Sequence, residues 1–435
     1  MNKAAVVGGG ISGIAAAFYL QKYGVDVDLY ETGNRLGGRI GSDCIDGRYL
    51  DFGGKNIGRK YNRFREFVSE LGGMEFEYFG FNTSQVINGN VVKLSKEKKR
   101  FFNILRVVSL AGIGGIKRLL PLMKAVDKDA SQGFLNTTYF NRIADRFDEA
   151  TLASFFPKRC TDHLIRPVTV RMNGAEPQEC YPGNFGSNLA LVLDSYEQIK
   201  QGMHTLLDRF QAKSKSVNLL TEHHVITIEP HNGGTTIYYS HENKTSRAEY
   251  NTVIVALPAV QAIALVSDLL PELAALLGNI RYYPVAVAIV CYRDAVFPDT
   301  QRAMVFDSSS PLSNAGAYGI HDLDIVRYTF SGKAARSLVT KESSSEEVVF
   351  LGEKIIEPYF SIRQNIRQDF IYKYISPGLC AYSPYHYQTL EKIDDCNRFF
   401  KGLFFTGDYR RGASIEACFR ASAETVDIAM KGRSE

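Results

Sequence analysis

The chain has 435 residues, 45% of them hydrophobic and 23% charged, with 37 Gly and 14 Pro, a globular composition long enough for about two to three structural units and a cleft between them. A net charge of +4 gives too weak a field for nonspecific nucleic-acid binding, and seven scattered cysteines form neither a CxxC pair nor a zinc spacing. No apolar run is long enough for a membrane span and the N-terminus reads as structure rather than a leader, so we expect a cytoplasmic setting, no metal and no nucleic-acid partner.

Residues 4–7 (AAVV) read as a buried strand, 14–23 as a helix stopped by Gly24, and 25–30 as a second strand. This is a β-α-β unit with the continuous apolar strands of a parallel sheet covered on both faces. A polar, Gly-rich stretch leads to a helical pattern over 61–71. The stretch 101–126 is apolar and basic, with Arg106, Lys117, Arg118 and Lys124 among Leu, Val and Ile, and with Gly112, Gly114 and Gly115 as a break. It suits either an interfacial membrane helix or a pair of helices roofing a substrate cavity, and we expect the roof. Further on, 196–210 reads as a helix, 217–220 and 225–229 as strands, and 235–240 as a surface strand after a turn at 231–234. Residues 252–257 form another buried strand, and the chain closes with a strand at 402–406 and a helix at 414–430.

Between the first strand and helix, Gly8-Gly9-Gly10-Ile11-Ser12-Gly13 fits G-x-G-x-x-G, and Glu31 ends the second strand. Gly8 permits the tight turn, Gly10 lets the backbone approach a pyrophosphate, and Gly13 lets the helix pack on the sheet, with Ser12 in the first helical turn. Glu31 would accept from an adenosine ribose hydroxyl and would repel a 2′-phosphate, which disfavours NADP. The fingerprint alone admits NAD or FAD. Gly37-Gly38-Arg39 adds a planar guanidinium on a Gly-rich turn, suited to a phosphate.

ETGNRLGGR (31–39) followed by LDFGGKNIGRKYNR (50–63) resembles the flavin-dependent amine oxidase superfamily, which includes protoporphyrinogen oxidases and phytoene-type desaturases. The closing FFTGDY (404–409) and GASIEACFRASAETV (412–426) resemble its final strand, Gly-Asp and helix. The resemblance implies FAD as cofactor, with Arg39 on the pyrophosphate, Gly407-Asp408 at a ribityl or pyrophosphate-linked hydroxyl, Val225 meeting the adenine through its backbone, and the Gly53–Asn56 stretch near the isoalloxazine. Gly54, Lys55 and Asn56 lie in that stretch, and Lys55 and Asn56 are the candidate catalytic side chains. Reduced flavin carries negative charge that a helix N-terminus can stabilise; Ser414 is the expected N-cap and the Ile415–Glu416 backbone the donor. The expected fold is α/β: a discontinuous Rossmann-like FAD-binding domain of amine-oxidase type (1–73, 196–262 and 378–435) with an inserted α+β substrate-binding domain (74–195 and 263–377).

Within the family, YSPYHYQTLEKI (382–393) and VRYTFSGKA (326–334) look like the protoporphyrinogen-oxidase branch. Amine oxidases carry a Lys on a strand shortly after a Pro; the corresponding segment here is 284–292, PVAVAIVCY, with Val287 at that place. Cys380 invites comparison with cysteines that bond covalently to flavin, though a small core residue is the expectation, and His386 with a proton carrier, though packing or capping is expected. The expected reaction is hydride transfer from a C–H bond of a small-molecule substrate, which the resemblance to porphyrin and carotenoid enzymes allows to be lipophilic, with reoxidation by oxygen or another acceptor. An amine oxidase proper, a flavin-dependent non-redox isomerase and a noncatalytic nucleotide-binding scaffold are the alternatives.

Overall fold

Strand β1 (Lys3–Val7) is the middle of a five-stranded sheet in the computed structural model, which describes residues 3–78, 83–96, 99–231, 234–360, 362, 366–400 and 402–431. The strands run in the order Val217–Leu220, β2 (Asp26–Tyr30), β1, Val253–Val255, Leu403–Phe405, and every pairing is parallel. Alternation assigns the side chains to two faces. Ala4, Val6, Leu29 and Ile254 pack under helix α1 (Ile11–Lys22) and the closing helix Ile415–Lys431, through Ile14, Phe18, Phe419 and Val426. Ala5, Val7, Val253 and Val255 pack on the other face against the helices Ala259–Val266 and Pro271–Gly278 and against Leu390 and Ile393. Full burial on both sides is why AAVV needs no polar alternation.

A seven-stranded sheet stands beside it in the order Arg367–Ala381, Arg281–Tyr292, Ile325–Phe330, Leu312–Ala317, Ala303–Val305, Thr83–Ile87, Asn90–Lys93. Its long strand Arg281–Tyr292 splits its residues by parity: Ala286, Ala288 and Val290 face one core, Val285, Val287 and Ile289 another. A helical layer, with Phe140, Leu152, Phe156 and Phe185 at its centre, packs on helix α3 (Arg100–Lys128). Gly112 in α3 has φ 67 and ψ 170, so the helix is interrupted where the glycines predict. The C-terminal part of α3 buries Leu119, Leu122 and Val126, while Phe101, Ile104, Leu105 and Val108 stay exposed.

The stretch 196–210 is not one helix. Tyr196–Ile199 is a strand paired with Ile57–Gly58 and Phe76–Tyr78; Gly202, at φ +84, turns the chain into the helix Met203–Lys213. Cross-strand pairing and the Glu197 ion pairs with Arg59 and Arg65 outweigh the local helical pattern. Within the hairpin His224–His231 and Gly234–His241, the expected turn residues Asn232 and Gly233 lie outside the described residues.

Candidate functional site

The order of the parallel strands reverses between β1 and Val253–Val255, and the turns that follow β1 and Leu403–Phe405 leave the C-terminal edge beside that point, where open α/β sheets bind ligands. In the β1–α1 turn Gly8 has φ +105 and donates its N–H to Tyr30 O at 2.8 Å. A Cβ on Gly13 would sit 1.8 Å from Gly8 O, so only glycine lets α1 approach the strand. Gly10 is the N-cap of α1, receives no side-chain cap, and a Cβ there would meet open space. The orphan N–H groups of this first turn are left for a ligand. Ser12 is buried and its carbonyl accepts from Ser422 Oγ at 2.9 Å, tying α1 to the closing helix.

Glu31 stands over this turn: one carboxylate oxygen accepts from Gly9 N–H at 2.9 Å, the other from Gly33 N–H at 2.7 Å. Gly37 donates to Gly9 O at 2.8 Å, and a Cβ on Gly38, at φ +56, would lie 3.1 Å from Gly10 Cα. Gly37 and Gly38 therefore hold the second loop against the first. Glu222 and His223 donate to Gly33 O and Glu31 O, each at 3.0 Å, which brings the strand that carries Val225 to the same rim; the Val225 side chain is core.

Arg39 and Asp408, 369 positions apart, meet at 2.6 Å through Arg39 Nη1, which also donates to Gly378 O at 2.9 Å. Tyr282 donates its hydroxyl to the other Asp408 oxygen at 2.6 Å. Burial alone would lower the Arg39 pKa; Asp408 and Tyr282 hold it above the ordinary arginine range. Nε and Nη2 of Arg39 make no hydrogen bond with the described residues, so two donor groups remain beside the uncapped turn. A dinucleotide fits this donor set: diphosphate to the α1 N-terminus and Arg39, hydroxyls to Asp408 and Glu31. Gly407, at φ +158, precedes Asp408 and opens the short helix Asp408–Arg411.

The 51–56 segment forms the next wall. A Cβ on Gly53 would lie 2.1 Å from Arg39 O, and one on Gly54 3.7 Å from Ile415 Cδ1, so this segment bridges Arg39 and the closing helix. Arg327 donates to the carbonyls of Asp51, Phe52 and Gly53 at 3.0–3.1 Å, which fixes the backbone. Lys55 is only 7% exposed; its Nζ donates to Gln198 Oε1 at 2.9 Å and Tyr318 O at 2.5 Å and lies 4.4 Å from the Tyr318 ring centroid. Burial, with the Arg327 charge beside it, pushes the Lys55 pKa down to about 7. Two of its neighbours, Gln198 and Tyr318, line a recess of about 260 Å³ with Arg48, Glu77, Lys200 and Asp322. Asn56 is exposed and makes no hydrogen bond with the described residues.

Ser414 caps the closing helix, its Oγ accepting from Ala417 N–H at 3.1 Å. Ile415 is buried in the core and Glu416 turns away from the groove to accept from Arg63 and Phe64 N–H at 3.2 and 3.1 Å, capping helix α2 (Asn62–Glu70). Three other positions are structural. Val287 packs in the apolar cluster of Leu50, Phe52 and Ile289. Cys380 has no exposed surface and burial raises its thiol pKa well above the ordinary range. His386 bonds through Nε2 to Tyr409 O at 2.7 Å, and burial lowers its pKa to about 4. Sequence reasoning missed Tyr282, Arg327, Gln198 and Tyr318, none of which carries a local motif; for Arg327 the one signal was its place in the 326–334 stretch.

Comparison with known proteins identifies the fold and the family. The chain is 19% identical to protoporphyrinogen oxidase 2 of Arabidopsis thaliana over 98% of its length and 93% of the relative's. A shorter match, 29% identical, joins 29% of the chain to prenylcysteine oxidase 1 of Pongo abelii, so the chain spans about a quarter of that relative's length. Cyclohexylamine oxidase from Brevibacterium oxydans IH-35A superposes with a TM-score of 0.75 at 18% identity, covering 100% of this chain and 99% of that one. A fatty acid isomerase from P. acnes superposes at 0.70 with 11% identity, covering 98% of each chain; both likenesses establish the fold alone. With residues 11–428 matching the family model, the chain belongs to the flavin containing amine oxidoreductase family and is an FAD-dependent oxidoreductase.

Proposed function

We propose that the chain dehydrogenates a C–C or C–N bond in the manner of a protoporphyrinogen oxidase or desaturase rather than of an amine oxidase proper. The observation that carries this reading is Val287, 2% exposed among apolar neighbours where the family's amine oxidases present a lysine. Lys373, across the strand pair from Val287, is engaged by Asp43 at 2.7 Å. When bound, FAD supplies a flavin ring that accepts hydride from a substrate C–H bond. Arg39 and the α1 N-terminus would hold its diphosphate, Asp408 and Glu31 its hydroxyls, and Val225 its adenine through the backbone. Lys55 is the chain's proton-holding group at the 51–56 wall: with its pKa near neutrality it takes or gives a proton at Nζ without leaving its two acceptors. Asn56 offers an uncommitted amide beside it. Arg327 keeps this wall rigid. Residues 1–73, 196–262 and 378–435 serve FAD, and 74–195 with 263–377 enclose the substrate.

The near full-length match to protoporphyrinogen oxidase 2 supports the branch, and the match to prenylcysteine oxidase 1 supports a lipophilic substrate. Helix α3 adds a delivery surface. Phe101, Ile104, Leu105 and Val108 are exposed at i, i+3, i+4 and i+7, flanked by Arg100 and Arg106, a pattern that settles into an anionic membrane surface. No helix among the described residues is long and apolar enough to cross a membrane. The decisive experiment is anaerobic mixing of the yellow holoprotein with substrates. A porphyrinogen or polyene precursor should bleach the flavin, and benzylamine or cyclohexylamine should not. Bleaching by the amines alone would return the chain to the amine oxidases.

A further inference from the structure

Glu77 and Gln198 stand opposite each other on the paired strands Phe76–Tyr78 and Tyr196–Ile199. Side chains alternate along the second of these: Glu197 turns out to its ion pairs with Arg59 and Arg65, and Gln198 turns in, 3% exposed. Gln198 Nε2 donates to Glu77 Oε2 at 3.0 Å, and Gln198 Oε1 accepts from Lys55 Nζ at 2.9 Å. One buried amide thus joins a carboxylate to the amine at the 51–56 wall. The Tyr318–Gly319 turn closes over it, since a Cβ on Gly319 would lie 2.9 Å from Gln198 Nε2. Glu77 and Gln198 both line the recess of about 260 Å³. Glu77 is half-buried there, and Lys55 lies buried on the far side of the amide.

An amide has an acceptor at one end and two donors at the other, and the ends have nearly the same shape. A carboxylate only accepts, so Glu77 selects the Nε2 end and leaves the carbonyl for Lys55. Without that carboxylate the amide can turn, and an N–H would face Nζ. Tyr318 O, which also accepts from Nζ, belongs to the backbone and has no such choice. The acids nearby are committed to other groups: Asp322 to Arg48 at 2.5 Å, and Asp51 Oδ1 to Ser42 Oγ and Met203 N–H at 2.5 and 2.8 Å. Glu77 makes no ion pair with the described residues, so no protein cation neutralises the charge it presents to the amide.

We propose that Glu77, acting through Gln198, is a positioning residue for Lys55: it holds the amide carbonyl on Nζ and so keeps the proton on the amine. This rests on the reading of Lys55 as the proton-holding group. The test is carbon-13 NMR of the FAD-loaded protein labelled at lysine Cε, with the Lys55 signal identified by its loss in Lys55→Met and followed from pH 6 to pH 11. Glu77→Gln should lower the pH midpoint of that signal by roughly half a pH unit to one, and Gln198→Leu, which removes the carbonyl outright, should lower it too. Glu77→Gln made in the Gln198→Leu protein should have less than half its effect in the wild type, because the amide that carries it is gone. Glu75→Gln, which removes an exposed acid that pairs with Lys200 instead, should leave the midpoint in place. An unchanged midpoint in Glu77→Gln, or half or more of the shift surviving in the Gln198→Leu protein, overturns the assignment. A wild-type midpoint near 10.5 would refute the reading of Lys55 itself, while the differences between the variants still decide Glu77.

Discussion

Replacing Lys55 with Met should change how stability depends on pH, and the size of the change follows from its surroundings. The Lys55 pKa falls from 10.5 to about 7 in the folded protein, because burial and Arg327 disfavour the ammonium more than Asp51, Asp322 and Glu77 favour it. The folded value lies below the unfolded one. The penalty for the charge is thus absent above about pH 10.5, grows as pH falls, and is complete below about pH 7. Between pH 7 and pH 9 the unfolded chain holds the proton while the folded protein releases it, which amounts to about 2 kcal/mol of stability gained by the wild type. Lys55→Met also loses the bonds to Gln198 and Tyr318, but that loss is a nearly constant offset once Lys55 is neutral. The assay is urea unfolding of both holoproteins at pH 7, 8 and 9, read as the difference between them, which cancels groups the two share. Wild type should gain on the variant by about 2 kcal/mol across that window. A difference that stays flat would mean that Lys55 is fully charged or fully solvated throughout, and its role as a proton-holding group would fall.

Arg39→Met should weaken FAD retention by roughly ten- to a hundredfold, as expected for losing charge-assisted bonds, and Asp408→Ala should do so as well because Asp408 also positions Arg39; equal flavin occupancy after gel filtration in both variants would contradict the assigned groove. Gly13→Ala must displace Gly8 O, 1.8 Å from the new Cβ, and should cost about 1–3 kcal/mol or more together with flavin loss, detectable as a lower melting temperature and a paler protein; a wild-type melting curve would show that the turn is looser than described. Replacing Phe101, Ile104 and Leu105 together by Ser should abolish sedimentation with phosphatidylglycerol vesicles and leave flavin content alone; co-sedimentation equal to wild type would remove α3 as a membrane surface.

What the sequence determined by itself is local. A run such as AAVV buried on both faces, the three glycines at fixed offsets, Glu31 at a strand end and a serine before a helical pattern each draw their physics from neighbours within a few positions, and all take the expected places. The break at Gly112 in α3 was legible for the same reason. The stretch 196–210 was not, because a strand of four residues is decided by its pairing partners at 57–58 and 76–78. Only the tertiary structure decided the charges. Lys55 is set by Gln198 and Tyr318, 143 and 263 positions away, and Arg39 by Asp408. Periodicity records which face of an element is apolar; it carries no record of which distant group desolvates or neutralises a side chain, and in this protein the chemistry depends on those distant groups.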